Sequence, residues 1–344
     1  MRQPTLRHAL GLTEPSVPRG DDDQVEVYDL FCGAGGFTTG AVQAGCRVVY
    51  GCDWCTEALE TYRRNHPGTR ADCVALPGTL PFPTDGRPFH VHGSPPCTRF
   101  APTGWRYTTT ETRETAGNLI DWYIQTALES GATSWSMEQV VHADVIAIVE
   151  RHRRANPRRV AYEAFDFYEL GVPQHRKRLI AGSPELVARL RRRCGAARRR
   201  GIIDWVPRPR GTHMRTCKNW DRRTVAPDGT VTYHKASLGT FLKPLSGPGP
   251  TILGHGNMHW ITKHADGKHT RAVLRPFEQA LLQTFPTDYK WPEKVRKANN
   301  QIGNAVPPLV ATLLLGGEAP PPPPPARPTS PSLLRPASSY LVWR

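Results

Sequence analysis

The stretch that decides the fold is Asp29-Leu30-Phe31-Cys32-Gly33-Ala34-Gly35-Gly36-Phe37-Thr38. Val25 to Phe31 reads as a buried strand. It breaks at the glycines into a turn, and a short helix follows through Ala44. A strand, a glycine turn and a helix start form a nucleotide-type cradle, because glycines let backbone amides approach a ligand and let the chain turn sharply.

Outward from this stretch, Arg47 to Gly51 reads as a second strand and Thr56 to Arg64 as a helix. Further strands are expected at His90 to His92, Thr133 to Met137, Arg158 to Tyr162 and Arg178 to Ala181, with helices at Leu119 to Leu128 and Val145 to Arg154. Strands alternating with helices predict an α/β fold, a parallel sheet covered on both faces. Residues 195–270 are rich in Gly, Pro, His and Arg with little periodicity, and read as a second, loop-rich lobe. Helical spacing returns at Phe277 to Thr284 and Leu309 to Leu315. The expected organisation is a flexible segment over 1–24, a main domain over 25–194 completed by 271–316, the lobe over 195–270, and a proline-rich tail over 317–344 carrying Pro320 to Pro325.

Gly33-Ala34-Gly35-Gly36 falls short of a full GxGxxG, which disfavours a dinucleotide. Asp53 follows Gly33 by twenty residues at the end of the second strand, where an acid can accept hydrogen bonds from ribose hydroxyls. Trp54 beside it can stack on an adenine. A small adenosine cofactor without pyrophosphate, such as S-adenosylmethionine, fits better than NAD. The same residues also fit a plain tight turn with Asp53 capping a helix.

The chain has 344 residues and a net charge of +15, an excess that favours a polyanionic partner over a neutral one. Arg189, Arg191, Arg192, Arg193, Arg198, Arg199 and Arg200 cluster, and fit phosphate contacts, an import signal or a solvated helix face. Mean hydropathy is −0.48 and no apolar run approaches a membrane span, so no membrane partner is expected. The cysteines at 32, 46, 52, 55, 73, 97, 194 and 217 lack the density of a secreted disulfide framework and read as reduced and intracellular. Cys52-Asp53-Trp54-Cys55 is a single CxxC without a second pair, and His255, His259, His264 and His269 show no ligand spacing, so no metal is expected.

Cys97 follows Pro95 and Pro96 just after a strand. Prolines stiffen the loop, and a thiolate held there can act as a nucleophile; a buried or incidental cysteine is the plainer alternative. Glu138 ends a strand, where a carboxyl can bond a base edge and move a proton. Arg176 and Arg178 alternate along an extended segment and can hold a base carbonyl, pair with Glu138 or bind phosphate; a charged surface strand fits equally.

Taken together, these motifs resemble the C5-cytosine DNA methyltransferases over roughly residues 25–315 and in that family's order. Asp29 to Gly36 resembles the cofactor motif, Asp53-Trp54 the ribose-acid and adenine-stacking positions, and Asp72 the acid near the adenine amine. Gly93-Ser94-Pro95-Pro96-Cys97 resembles the nucleophile loop, Glu138-Gln139-Val140 the Glu-Asn-Val motif, and Gln174-His175-Arg176-Lys177-Arg178 the Gln-x-Arg-x-Arg motif. Pro250-Thr251-Ile252, Leu282-Gln283-Thr284-Phe285-Pro286 and Gln301-Ile302-Gly303-Asn304-Ala305 resemble the later motifs. Thr98, Ala101, Gln139 and Arg275 depart from the usual Gln, Ser, Asn and Thr, and Thr98 and Gln139 bear on how the nucleophile loop closes.

The resemblance implies a doubly wound Rossmann-like S-adenosylmethionine-dependent domain with a smaller loop-rich target recognition lobe carrying His213, Arg215, Lys218, Arg222 and Arg223. It implies Cys97, Glu138, Arg176 and Arg178 as catalytic residues. Phe31, Gly33, Gly35, Gly36, Asp53, Trp54, Asp72, Pro95, Asn304 and Ala305 are implied around the cofactor. The implied partner is double-stranded DNA, with the protein a monomer acting inside the cell: in cytoplasm or nucleoid for a prokaryotic or phage source, in the nucleus for a eukaryotic or viral one. An RNA (tRNA) cytosine-5 methyltransferase of the same fold and a catalytically weak DNA-binding relative are the alternatives.

Overall fold

A computed structural model describes residues 24–96, 110–196, 199–206, 208, 212–216, 223–225, 231–233, 242–254, 258–265 and 269–320. Cys97, Thr98 and Ala101 lie outside the described residues, as do Arg198, Cys217, Lys218, Arg222, His255, the first 23 residues and most of the proline run.

Strand β1 (Glu26–Leu30) is buried along its whole length, so its sequence EVYDL shows no inside-outside alternation. Helix α1 (Gly36–Gln43) follows the glycine turn. It ends in a Schellman arrangement: Gly45 takes φ +81°, its N–H donates to Val42 O, and Cys46 N–H donates to Ala41 O. Next come β2 (Arg47–Asp53), α2 (Thr56–Asn65), β3 (Arg70–Cys73), β4 (Phe89–Gly93), α3 (Thr110–Glu129), β5 (Ser134–Gln139), α4 (Ala143–Ala155), β6 (Ala161–Asp166), β7 (Lys177–Gly182) and α5 (Pro184–Arg193).

Seven strands form one sheet in the order β3-β2-β1-β4-β5-β7-β6. The first five run parallel, but β7 is antiparallel to both β5 and β6. The expected parallel sheet therefore has one reversed strand. The reason lies in the link between β6 and β7, which holds only a 3-10 turn at Phe167–Leu170. A parallel return needs a crossover of about a dozen residues, commonly a helix.

One face of the sheet packs Phe89, Val91, Trp135 and Met137 against Ile120, Tyr123 and Ile124 of α3 and Val145 and Val149 of α4. The other packs Val27 and Val48 against Phe37 and Ala41 of α1, Leu186 and Leu190 of α5, and the last helix, α8 (Pro308–Leu314). Gly40 makes the α1–α8 contact possible, since a Cβ there would come within 2.2 Å of Pro308 O. Among the helices and strands of the main domain, β3, α5 and α7 (Val295–Asn304) went unread in the sequence. In α5 the arginine cluster is partly tied to the body. Arg189 Nη1 donates to Leu314 O (3.0 Å), and Arg191 and Arg193 pair with Glu163 (2.6 Å) and Glu318 (2.7 Å).

Beyond residue 195 the described strands β8 (Thr212–Thr216), β11 (Leu242–Pro244), β12 (Met258–Lys263) and β13 (His269–Val273) form an antiparallel sheet in the order β11-β8-β12-β13. Strands β9 (Arg223–Val225) and β10 (Val231–Tyr233) pair separately. Strands β9, β10 and β11, of three residues each, are too short to print an alternation on the sequence. Met214, Met258 and Trp260 pack with Leu282 of α6 (Pro276–Leu282) and Ala298 and Ile302 of α7 into one core. Of the basic positions expected here, His213 and Arg215 fall on β8 and Arg223 on β9.

Candidate active site

The chain leaves β1 in a strained turn. Phe31 has φ +57° and Gly33 and Gly35 have φ +54° and +90°. A non-glycine residue at positive φ costs free energy and persists only where its surroundings enforce it. Here Cys32 N–H donates to Cys52 O (3.0 Å) and Gly33 N–H donates to Asp53 Oδ2 (2.9 Å), which ties the turn to the end of β2. Asp53 Oδ1 accepts from Cys55 N–H (2.8 Å). Burial raises the Asp53 pKa, and the backbone bonds from Cys55, Gly33 and Trp54 oppose it. At Gly33 a Cβ would meet no atom within 4 Å, so the turn opens onto free space. Trp54 is 70% exposed beside it. Asp72 is engaged by Arg70 through bonds of 2.7 and 3.3 Å.

The end of the chain closes on the same turn. A Cβ at Gly36 would lie 2.3 Å from Val306 O and 3.1 Å from Ala305 Cβ. Asn304 is exposed at the end of α7 and bonds Asn300 Oδ1 (3.3 Å). Tyr289 Oη donates to Ala34 O.

At the C-terminal end of β5 stands Glu138, buried, with Arg178 Nε 3.0 Å from its Oε1. The charges are paired, yet among the described residues no donor is aligned on Oε1, which keeps its hydrogen-bonding capacity. The next residue, Gln139, is fully buried. Its Nε2 donates to Pro95 O (2.9 Å) and its Oε1 accepts from Val140 N–H (2.8 Å). The longer amide at this position thus reaches the loop that leads to Cys97.

Arg176 and Arg178 engage different partners. Arg176 precedes β7, is 2% exposed, and sends Nη1 to Ile252 O (3.2 Å) and Nη2 to Gly303 O and Ala305 O (3.1 Å each). Alternation along a strand does not reach it, because β7 begins at Lys177. Gln174 works beside it. Its Nε2 donates to Leu282 O (2.8 Å) and Gln283 Oε1 (3.0 Å), and its Oε1 accepts from Ile252 N–H (2.8 Å). These two side chains tie the main domain to Ile252 of the lobe and to the closing segments at Leu282, Gln283, Gly303 and Ala305. So the fold unites Glu138 with Arg178, Gly33 with Asp53, Pro95 with Gln139 and Gly36 with Ala305.

The sequence model of the C-5 cytosine-specific DNA methylase family matches residues 25–142 and 219–316, well over half of the chain. The chain belongs to this family. As a methylase it is similar to the Type II methyltransferase M.HgiDI of Herpetosiphon aurantiacus, with 26% identity over 310 residues covering 84% of this chain and 93% of that protein. It is also similar to M.SacI of Streptomyces achromogenes, with 25% identity over 367 residues covering 83% and 90%. In fold it resembles the S. pombe Dnmt2 methyltransferase, with a TM-score of 0.58, 16% identity and coverage of 85% and 97%. The Entamoeba histolytica methyltransferase EhMeth gives a TM-score of 0.53 at 10% identity, covering 85% and 97%.

The sequence motifs of the methylase did not reveal every residue that shapes this site. His66, on the far side of the glycine turn, has Nε2 3.3 Å from both Thr39 Oγ1 and Tyr289 Oη, and burial lowers its pKa to about 4. Thr38 Oγ1 donates to Asp29 Oδ2 (2.7 Å) and lies 3.0 Å from Tyr62 Oη. Burial pushes the Asp29 carboxyl up to about 7. Asp29 and Thr38 lie within the opening stretch itself, whereas no spacing rule marks Tyr62, His66 and Tyr289, because their contacts join elements far apart in the chain.

Proposed function

We propose that this methylase is a DNA (cytosine-5-)-methyltransferase that uses S-adenosylmethionine and attacks cytosine through Cys97. The observation that carries the reading is the Glu138–Arg178 pair (3.0 Å) at the C-terminal end of β5, with Gln139 bonded to Pro95 O of the nucleophile loop. In open α/β sheets chemistry gathers at the C-terminal ends of the strands.

The open turn at Gly33, the Asp53 carboxylate with lone pairs beyond its backbone bonds, and the exposed Trp54 ring fit an adenosine-bearing cofactor. S-adenosylmethionine supplies an electrophilic methyl group when bound there. Asp53 would take the ribose hydroxyls and Trp54 would stack on the adenine, with Phe31, Gly35, Gly36, Pro95, Asn304 and Ala305 around the cofactor. Asp72 would reach the adenine amine only by sharing with Arg70.

The target cytosine must leave the duplex stack, since its C5 and C6 are out of reach inside it. Cys97 Sγ adds to C6, which makes C5 nucleophilic. Glu138 accepts from the N4 amine of the base and shares a proton with N3, and Arg178 orients its carboxyl. C5 gains the methyl group and loses its proton, the Sγ–C6 bond breaks, and 5-methylcytosine leaves. Arg176 acts by positioning the closing motif. The partner is double-stranded DNA, which the +15 charge suits, and the lobe beyond residue 195 would read the target.

The test is transfer of labelled methyl from S-adenosylmethionine to mixed-sequence duplex DNA, with Cys97→Ala beside the wild type. Label at cytosine C5 that vanishes in the variant is the expected result. Label on tRNA alone would replace the DNA reading with the RNA one, and label on neither would leave a DNA-binding relative.

A further inference from the structure

Strand β4 carries two histidines in the middle of a buried sheet, where a polar side chain needs partners. His90 and His92 alternate, so both project onto the face covered by α1. The Phe37 ring stacks on His92 with centroids 3.4 Å apart and lies 6.0 Å from His90. The charged groups nearby are Arg189 of α5, which acts on His90, and Asp29, which is His92's register partner on β1. Burial lowers the His90 pKa to about 3 and that of His92 well below the usual histidine range, so both rings are neutral.

Four contacts of equal length link these rings to three serines. His90 Nδ1 is 2.9 Å from Ser134 Oγ and its Nε2 2.9 Å from Ser136 Oγ. His92 Nδ1 is 2.9 Å from the same Ser136 Oγ and its Nε2 2.9 Å from Ser94 Oγ. The result is an unbroken chain, Ser134–His90–Ser136–His92–Ser94. Its three middle members are buried and its two ends are partly exposed. It runs the length of β4, roughly 13 Å at the usual strand rise. Ser94 N–H donates to Leu30 O (3.2 Å), which fixes that end beside the glycine turn.

A neutral imidazole has one N–H and one bare nitrogen, and a hydroxyl has one proton. Two arrangements fill all four contacts without stranding the buried Ser136 proton. In one, every bond points toward Ser94 and both histidines carry their proton on Nε2. In the other, every bond points toward Ser134 and both carry it on Nδ1. A third, with both rings donating to Ser136, leaves a buried hydroxyl unsatisfied at a cost of about 1–3 kcal/mol. The two tautomers are therefore coupled through Ser136.

We propose that Ser134–His90–Ser136–His92–Ser94 is a charge-neutral proton relay that runs along β4 from the nucleophile loop to the start of β5. A proton reaching Ser94 Oγ displaces the Ser94 hydroxyl proton to His92 Nε2. The His92 Nδ1 proton passes to Ser136, the Ser136 proton to His90 Nε2, and the His90 Nδ1 proton to Ser134. The original Ser134 proton leaves to solvent. Every group ends with as many protons as it began with, and both rings have changed tautomer. The role in turnover rests on the proposed methyl transfer, which gives up one proton from C5 per cycle.

Ser136→Ala cuts the chain at its shared member, and Ser134→Ala cuts it at its partly exposed end with little loss of packing. In the full-length protein, nitrogen-15 NMR of the imidazoles, assigned with His90→Gln and His92→Gln, should show one shared tautomer for both rings. In single-turnover assays on duplex DNA, either serine variant should slow methyl transfer about tenfold, a modest share of an acid–base contribution. Each should also reduce the solvent deuterium isotope effect while leaving the KM for S-adenosylmethionine unchanged. Ser136→Thr, which keeps the hydroxyl, should restore the rate. Opposite tautomers in the wild type, or serine variants with the wild-type rate and isotope effect, would overturn the relay. A wild type that methylates no polynucleotide would instead overturn the functional reading, and the tautomers would still judge the coupling.

Discussion

Arg178 Nε stands 3.0 Å from Glu138 Oε1, across the antiparallel seam where β7 joins β5. The reversed strand puts a cation beside the carboxyl at the end of β5. Replacing Arg178 by Met should leave a buried carboxyl without its compensating charge. We expect kcat/KM for DNA methylation to fall about 100-fold, equivalent to about 2.7 kcal/mol. Glu138→Gln should cost at least as much, and the double variant should cost less than the sum of the two. Additive losses in a double-mutant cycle would show that the pair does not act as a unit.

Arg176 predicts a different phenotype. Its guanidinium bonds the carbonyls of Ile252, Gly303 and Ala305, so Arg176→Met should strand buried acceptors and loosen the clamp between domain and lobe. We expect a loss of about 3 kcal/mol in urea unfolding. A variant with wild-type stability and no activity would return Arg176 to the chemistry itself.

Asp53 is the check on the cofactor site. Asp53→Ala removes acceptors for Gly33 N–H and Cys55 N–H and the proposed ribose contact. Affinity for S-adenosylmethionine by calorimetry should drop about 30-fold, equivalent to about 2 kcal/mol. Unchanged affinity would place the cofactor elsewhere.

Stability should carry opposed pH slopes. Asp29 titrates at about 7 when folded, far above an ordinary carboxyl, so the folded state holds a proton that the unfolded chain has shed. That contribution is full below about pH 4 and is lost as pH rises toward 7. His66 and His90, lowered to about 4 and about 3, act the other way, giving stability above about pH 6.5 that is lost in acid. Asp29→Asn should abolish the first slope, so its advantage over wild type should grow between pH 4 and 7 by at most about 1.4 kcal/mol per pH unit, then level off. Parallel urea-stability curves across that range would refute the assignment.

Much of this was legible in the sequence because it depends on local chemistry. The glycine turn, the strand before it and Asp53 twenty residues on lie in one continuous stretch, and positive φ at Gly33 and Gly35 is what such a turn requires. The apolar spacing of Leu119 to Leu128 marks the second half of α3. By contrast, β3 (RADC) is too short and polar to stand out, and the few apolar residues of α5 are hidden among its arginines.

The sequence by itself determined the family, the order of the motifs and the residue types at the site, since each is carried by a contiguous segment. Only the tertiary structure decided how those residues divide the work. It sent Arg176 to the closing motif and Arg178 to Glu138, although they are two residues apart, because regular alternation begins only at Lys177. It gave Gln139 the carbonyl of Pro95, a contact spanning 44 residues. It also joined two histidines and three serines from β4, β5 and their flanks into one chain. Side-chain partnership across a sheet depends on strand order and register, which are set by the packing of the whole domain.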